Sequence, residues 1–338
     1  MKPVIFGLAG ETVSDEERAL FKACEPAGYI LFGRNIRDKA QLRALTDDLR
    51  AIAGRDDLFI LIDQEGGRVA RMSPPVWPAF PAAGAFDALY EIAPSSAIEA
   101  ARCNARALGA MLREVGITAN AAPVLDVRQP GASEVVGDRS FGGEPMRVAA
   151  LGRATLEGLR AGGVVGCIKH MPGHGRALVD SHKELPHVDA SGWDLEMDLA
   201  PFRTLNQAPV GMTCHCLYTA WDAQRPASLS PIVIGEIIRG AIGFDGLLLS
   251  DDLDMKALNG TPDDLAAGVI EAGCDIALNC WGRMDEMTAI AARLPEISDV
   301  SRARLDRAMA TIAAGADADW PIERSLATRD ALLAKSAA

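Results

Sequence analysis

The chain has 338 residues, 49% of them hydrophobic and 24% charged, enough for one large or two ordinary domains with a well-buried core. Its 34 basic and 46 acidic residues leave a net charge of −12 with no Lys/Arg block, so nucleic acid is not an expected partner. No apolar run approaches the roughly 20 residues a membrane-spanning helix needs, which sets membranes aside, and the seven cysteines are scattered through apolar segments, a usage that fits a reduced cytoplasm.

The first ten residues hold a short apolar stretch with no basic leader and read as a first strand. Apolar runs at 3–9, 28–34, 58–63, 117–125, 164–169, 209–216, 246–251 and 274–279 read as strands. Amphipathic stretches near 14–25, 38–53, 95–115, 146–161, 193–207, 231–242, 261–272 and 284–294 alternate with them, and further helix is expected at about 301–314. Strand-helix alternation predicts a parallel sheet, and eight such units in one chain predict a (β/α)8 barrel of the TIM type. The expectation is a single catalytic domain over 1–338 with extended loops, residues about 295–338 forming a C-terminal helical extension. A doubly wound open sheet is the structural rival. Against it, Gly7-Leu8-Ala9-Gly10-Glu11 lacks the glycine spacing and the following acidic residue of a dinucleotide-binding turn.

Unusual polar residues fall where the strands end. The third strand runs into Asp63-Gln64-Glu65-Gly66-Gly67-Arg68, with Arg71 close behind, and Asp126 follows the fourth, ahead of a loop holding Asp138 and Arg139. The fifth leads into Lys169-His170-Met171-Pro172-Gly173-His174-Gly175 and then Asp180-Ser181-His182, which together hold three of the chain's five histidines. Ser250-Asp251-Asp252 closes the seventh. In a barrel all these places share the C-terminal rim, where active sites are built, so four separated clusters converge on one pocket. Taken singly, each has a plainer account: glycines that make a turn, Arg139 paired with a surface acid, Asp251-Asp252 capping a helix, Glu65 paired with Arg68. Cys214-His215-Cys216 suggests a metal cluster, but strand alternation sends His215 to the face opposite both cysteines, and no second Cys/His pair stands at zinc-ligand spacing. No metal is expected, and His215 is retained as a neighbour of the site.

The histidine-rich segment, with Asp63-Gln64-Glu65-Gly66-Gly67-Arg68 before it and Ser250-Asp251-Asp252-Leu253-(x)-Met255 after it, resembles the family 3 glycoside hydrolases. More narrowly, it is similar to the single-domain bacterial β-N-acetylglucosaminidases (β-hexosaminidases) of cell-wall recycling, from about residue 3 to about residue 280. Met171 departs from the pattern, standing where the family more often carries an aromatic or branched apolar residue. The resemblance implies retaining exo-hydrolysis of terminal, non-reducing, β-linked N-acetylglucosamine from muropeptide-type fragments such as N-acetylglucosaminyl-anhydromuramyl peptides. It implies a small carbohydrate as ligand and no cofactor.

By the same resemblance Asp251 is the nucleophile, His182 the proton donor and acceptor, and Asp180 the group that orients and polarises it. Asp63, Arg71, Arg139, Lys169 and His170 bind the sugar. The chemistry is coherent: retention needs one carboxylate to attack the anomeric carbon and a separate acid to protonate the leaving oxygen. A histidine titrates near neutral pH, and a neighbouring carboxylate fixes its tautomer and stabilises the imidazolium. The residues alone do not separate Asp251 from Asp252. His174 is expected to shape its loop through a backbone hydrogen bond, and Glu65 is a weaker candidate for the sugar. Three alternatives stay open: a phosphorylase using the same glycosyl-enzyme, a metal-dependent barrel hydrolase, and a non-catalytic sugar-binding module.

Overall fold

The computed structural model describes residues 1–190, 192–313 and 320–336; positions 314–319 and 337–338 of the expected C-terminal extension lie outside the described residues. Eight parallel strands close into a barrel: β1 (Lys2–Gly7), β2 (Pro26–Leu31), β3 (Phe59–Ile62), β4 (Ala119–Asn120), β5 (Val165–Met171), β6 (Val210–Thr213), β7 (Leu247–Asp252) and β8 (Ile276–Asn279). Each pairs with its sequence neighbours, and β8 returns to β1 through Val4↔Ala277 and Ile5↔Leu278. The predicted (β/α)8 architecture is therefore the observed one. Several expected boundaries shrink. The strand expected at 117–125 is regular only over Ala119–Asn120, with a single further bridge from Val124 to Lys169, and the one expected to reach 216 stops at Thr213.

Strand alternation sorts the core into two shells. Inward residues such as Ile5, Ile30, Leu61, Cys167, Met212 and Leu249 pack along the barrel axis, while Phe6, Ile60, Ile168 and Leu248 pack outward under the helices. The principal helices are α1 (Asp15–Cys24), α2 (Lys39–Ala53), α3 (Ala83–Ile92), α4 (Pro94–Glu114), α5 (Pro145–Gly162), α6 (Trp193–Thr204), α7 (Pro262–Ala272), α8 (Met284–Arg293), α9 (Asp299–Ala313) and α10 (Ile322–Leu333). Between β6 and β7 the expected helix is wound more widely, with π-type hydrogen bonding over Val233–Ala241. Helix α3 and a short hairpin pairing Gln64–Gly66 with Val69–Ala70 were not expected from periodicity. Local chemistry explains the starts: Ser14 caps α1 by accepting from the Glu17 N–H at 3.1 Å while Glu17 accepts from the Ser14 N–H at 2.8 Å. Among the described residues no helix is long and apolar enough to cross a membrane.

Helix α9 is not a loose tail. Its Leu305, Ala308 and Met309 join the inner cluster and plug the N-terminal mouth of the barrel. The plug is held by Asp275, a buried carboxylate just before β8. One oxygen accepts from Arg239 at 2.7 Å and the Leu248 N–H at 2.9 Å, the other from Ser301 at 2.7 Å and Arg304 at 3.0 Å. Helix α10 lies against α4, with Arg329 donating to Asn104 Oδ1 at 3.1 Å. Replacing Asp275 by Ala leaves the Arg239 guanidinium without its carboxylate and the Leu248 N–H without its acceptor, while Arg304 keeps Asp245 at 2.7 Å, so Asp275→Ala is expected to lose about 3–5 kcal/mol of stability, read as a lower urea midpoint. An unchanged midpoint would show that the plug does not depend on this carboxylate.

Candidate active site

The inward series of three strands end in charged residues at one rim. Phe59 and Leu61 are followed two places on by Asp63, Val165 and Cys167 by Lys169, and Leu247 and Leu249 by Asp251. A pocket with a cavity volume of about 160 Å3 opens there. Its wall brings together Asp63, Glu65, Arg71, Arg139, Lys169 and His170. His174, His182 and Asp251 complete the expected set, with Asp252, Ser181, Phe32 and Met255 beside them. Asp180 stands just behind His182, and His215 lies beneath the wall instead of on it.

One half of the pocket is a buried ion network. Lys169, 3% exposed, donates to Asp63 Oδ1 at 3.0 Å and meets Glu65 Oε1 at 2.7 Å. Arg139 forks onto both oxygens of Glu65 at 2.8 Å, and Arg71 reaches Asp63 Oδ2 at 3.3 Å. Burial alone would raise the Asp63 and Glu65 carboxyls, but Lys169 and the two arginines hold both below the ordinary range. Burial would likewise lower Lys169, and the two carboxylates keep it above its usual value. All five groups are therefore charged, three cations against two anions. The expected alternative of a Glu65–Arg68 pair is not what forms: Arg68 instead donates to Asp138 Oδ1 at 3.0 Å. The hairpin turn that aims Glu65 and Arg68 apart needs glycine, since Gly66 has φ 107° and a Cβ there would meet the Pro81 carbonyl oxygen at 2.3 Å.

Asp126, noted at the rim in the sequence but given no role, organises the next two residues. Its Oδ2 accepts from His170 Nδ1 at 2.7 Å, and its Oδ1 accepts the N–H groups of His170 and His174 at 3.2 and 2.7 Å. Against the burial that would raise it, His170 and the His174 N–H bring Asp126 down to about 2. The His170 ring is thus fixed with Nε2 as its unbonded nitrogen. The expected backbone hydrogen bond of His174 is this one to Asp126, and its ring adds a second at 3.2 Å, between Nε2 and Ser181 Oγ. No signal in one sequence points to Asp126 as the hub, because its role is to satisfy backbone donors brought together only by folding. The loop closes tightly over it: a Cβ at Gly175 would fall 1.9 Å from the Val127 carbonyl oxygen.

The opposite wall carries Asp251. Alternation from Leu247 and Leu249 carries Asp251 to the inner face, but the β7–β8 register shifts between Leu249 and Asp252 and both carboxylates line the pocket, so it is their electrostatics that set them apart. Strand β7 also runs through Asp252 instead of ending at Ser250. Burial would raise the Asp251 carboxyl, but the imidazoles of His215 and His170, the Asp252 N–H on its Oδ1 at 2.9 Å and Lys169 hold it below its ordinary value. Asp252 goes the other way, up to about 7, through burial and the adjacent Asp251 charge. His215 Nε2 donates to the Asp252 carbonyl at 2.9 Å, so the Ser228 hydroxyl donates to its Nδ1 at 2.7 Å. Both nitrogens are engaged and cannot ligate a metal. The alternation argument used for Cys214-His215-Cys216 does not apply, since β6 has ended before them. Among the described residues no group of three or more His, Cys, Asp or Glu side chains is placed to hold a metal ion.

His182 reaches over the pocket mouth. Its side chain is 65% exposed, its Nδ1 donates to Asp180 Oδ1 at 2.8 Å, and its N–H donates to the same oxygen at 3.0 Å. Partial burial works against the charge of Asp180, yet these two bonds hold its carboxyl below the ordinary value. Imidazole Nε2 is left facing outward from the pair, free to exchange a proton.

A closed parallel barrel with cations, carboxylates and a histidine–aspartate pair around one rim pocket is built for acid–base chemistry on a small polar ligand. Residues 5–314 match the model of the glycosyl hydrolase family 3 N-terminal domain, and the chain belongs to that family of glycoside hydrolases. It is 40% identical over 312 residues to a β-hexosaminidase of Alkalilimnicola ehrlichii, covering 90% of this chain and 88% of that one. A β-hexosaminidase of Bordetella avium is 36% identical over 323 residues, covering 94% and 90%. Among solved structures, NagZ from Neisseria gonorrhoeae in complex with N-trifluoroacetyl-D-glucosamine superposes with a TM-score of 0.86 at 32% identity, covering 99% of this chain and 98% of that one.

The buried imidazole of His174 gives the site a pH signature. Burial, opposed by Asp126 and Asp251 and reinforced by His170, takes it from 6.5 down to about 4. As pH falls from 6.5 to 4, the unfolded chain takes up a proton here that the native state refuses, so this group removes stability, by about 3 kcal/mol at the acid end. Asp198 and Asp252, both raised to about 7, bind protons in the native state first and work in the opposite direction over that window. The difference between the chain and its His174→Gln variant isolates the histidine. Denaturant titrations across this range should show the variant losing less stability on acidification; parallel curves would contradict a neutral buried His174.

Proposed function

We propose that the protein is a retaining exo-β-N-acetylglucosaminidase acting on terminal, non-reducing N-acetylglucosamine of muropeptide-type peptidoglycan fragments. The observation that carries this reading is the pairing of an inward, ionised Asp251 on one wall with a histidine–aspartate pair at the mouth of the same pocket. The β-hexosaminidase relatives and the N-acylated glucosamine bound by the Neisseria gonorrhoeae protein support the choice of sugar.

In this reading the sugar sits against Lys169, Arg139, Arg71, Asp63 and His170, whose donors and acceptors match hydroxyls and a 2-acetamido group. An Asp251 oxygen attacks the anomeric carbon as the glycosidic C–O bond breaks, and protonated His182 gives its Nε2 proton to the departing oxygen. Neutral His182 then takes a proton from water, whose oxygen displaces Asp251 from the anomeric carbon and restores both groups. Asp180 stabilises the imidazolium and holds its orientation. The seven cysteines are free and buried, which supports a reduced, cytoplasmic setting. The single-domain division proposed for 1–338 accords with α9 closing the barrel and α10 packing on its side.

Asp251→Ala is expected to lower turnover of a nitrophenyl N-acetylglucosaminide by about 1,000-fold or more while leaving the fold intact; near-normal hydrolysis would exclude Asp251 as nucleophile. His182→Ala should lose about 100- to 10,000-fold in kcat/KM on sugar aglycones and far less on activated aryl glycosides, because an activated leaving group needs little protonation. Equal losses on both would rule out His182 as the acid. Product analysis with added inorganic phosphate tests the acceptor: free N-acetylglucosamine at unchanged yield is expected, and a sugar 1-phosphate would identify a phosphorylase instead.

A further inference from the structure

The segment carrying Asp180 and His182 is tied down at one residue. Among the described residues, hydrogen bonds leave the stretch 178–185 at only two atoms, and both belong to Ser181. Its hydroxyl bonds His174 Nε2 at 3.2 Å, and its carbonyl accepts the Ala257 N–H at 3.1 Å. The other hydrogen bonds and ion pairs of Asp180, His182 and Lys183 among the described residues stay inside the stretch. Burial agrees: Ser181 is 2% exposed, while His182 next to it stands in solvent. His174 is in turn fixed from below, its N–H on the Asp126 oxygen that also takes the His170 N–H, and its ring set edge-on to His170 at 5.8 Å.

We propose that Ser181, held by His174, is the positioning residue that sets the Asp180–His182 pair over the glycosidic oxygen, with Asp126 joining that pin to the sugar-binding His170. The inference rests on the reading of His182 as the acid. A buried serine between the two members of the pair, hydrogen-bonded to the protein while His182 stands at the pocket mouth, converts one buried hydrogen bond into the placement of both. The hydroxyl carries the part of the restraint that reaches the sugar side, because the Ala257 bond leads to the loop after β7 instead.

The test compares Ser181→Ala, and His174→Phe as a second variant that keeps a ring against His170, using kcat/KM for a sugar aglycone and for a dinitrophenyl glycoside. Both variants are expected to lose at least about 10-fold on the sugar aglycone and less than about 2-fold on the dinitrophenyl substrate, with the inhibition constant for N-acetylglucosamine unchanged under Ser181→Ala. In a His182→Ala background, Ser181→Ala should have no further effect. Equal losses on the two substrates, or a loss that persists without His182, would reduce Ser181 to a structural residue and overturn the proposal. If His182→Ala itself shows no leaving-group dependence, the acid assignment falls and the pin with it. If His182→Ala shows that dependence and Ser181→Ala does not, the pin alone is wrong.

Discussion

Every second residue of a strand in a closed barrel points into a space that holds neither water nor a polar partner, so charge is tolerated there only where the strand runs out. The three inward series that end in Asp63, Lys169 and Asp251 obey this constraint. Apolar side chains fill the axis up to the last closed layer, and the next inward position on each strand carries a charge. Because all strands run parallel, the three charges come out at the same mouth and face one another. The chemistry is thus placed by where the apolar series stops, and the loops refine what the strands have already brought together.

Placing charges at that depth creates its own difficulty. A lysine 3% exposed would lose its proton without partners, and the buried carboxylates beside it would gain one. Packing Lys169 between Asp63 and Glu65, with Arg139 and Arg71 outside them, keeps the whole set ionised and rigid. Asp126 fixes the orientation of His170 at a second point on the rim. These groups are oriented before a ligand arrives, so little reorganisation is left for the moment of binding.

The barrel was legible because its period-two strands and amphipathic helices repeat eight times, and a repeated weak signal is a strong one. The short β4 was overread at 117–125, since apolar residues continue past Asn120 into a segment whose regular pairing lapses and which keeps a single further bridge, Val124 to Lys169. The Asp251/Asp252 ambiguity came from a strand end, where a shift of one residue reverses which side chain faces in. The plainer account of Glu65 pairs it with Arg68, which is near in sequence, while the arginine near in space is Arg139. Asp126 was visible but unassigned for a related reason: two N–H groups 44 and 48 residues away give it its role. Helix α9 was expected as an appendage, and nothing in its periodicity says that Leu305 and Met309 meet the barrel axis.

The unequal exposure across the pocket divides selectivity between two currencies. On the side proposed to hold the sugar, buried and already paired groups would discriminate by enthalpy, through donors and acceptors that fit one arrangement of hydroxyl and amide groups or none. On the aglycone side, His182 stands 65% exposed on a stretch anchored at a single serine. In the proposed reading, a second residue of the substrate that contacts this stretch restrains His182, the proton donor, and what it contributes there is largely conformational entropy. Parts of an aglycone remote from the reacting bond would in this way alter its rate of cleavage while the sugar is bound equally well.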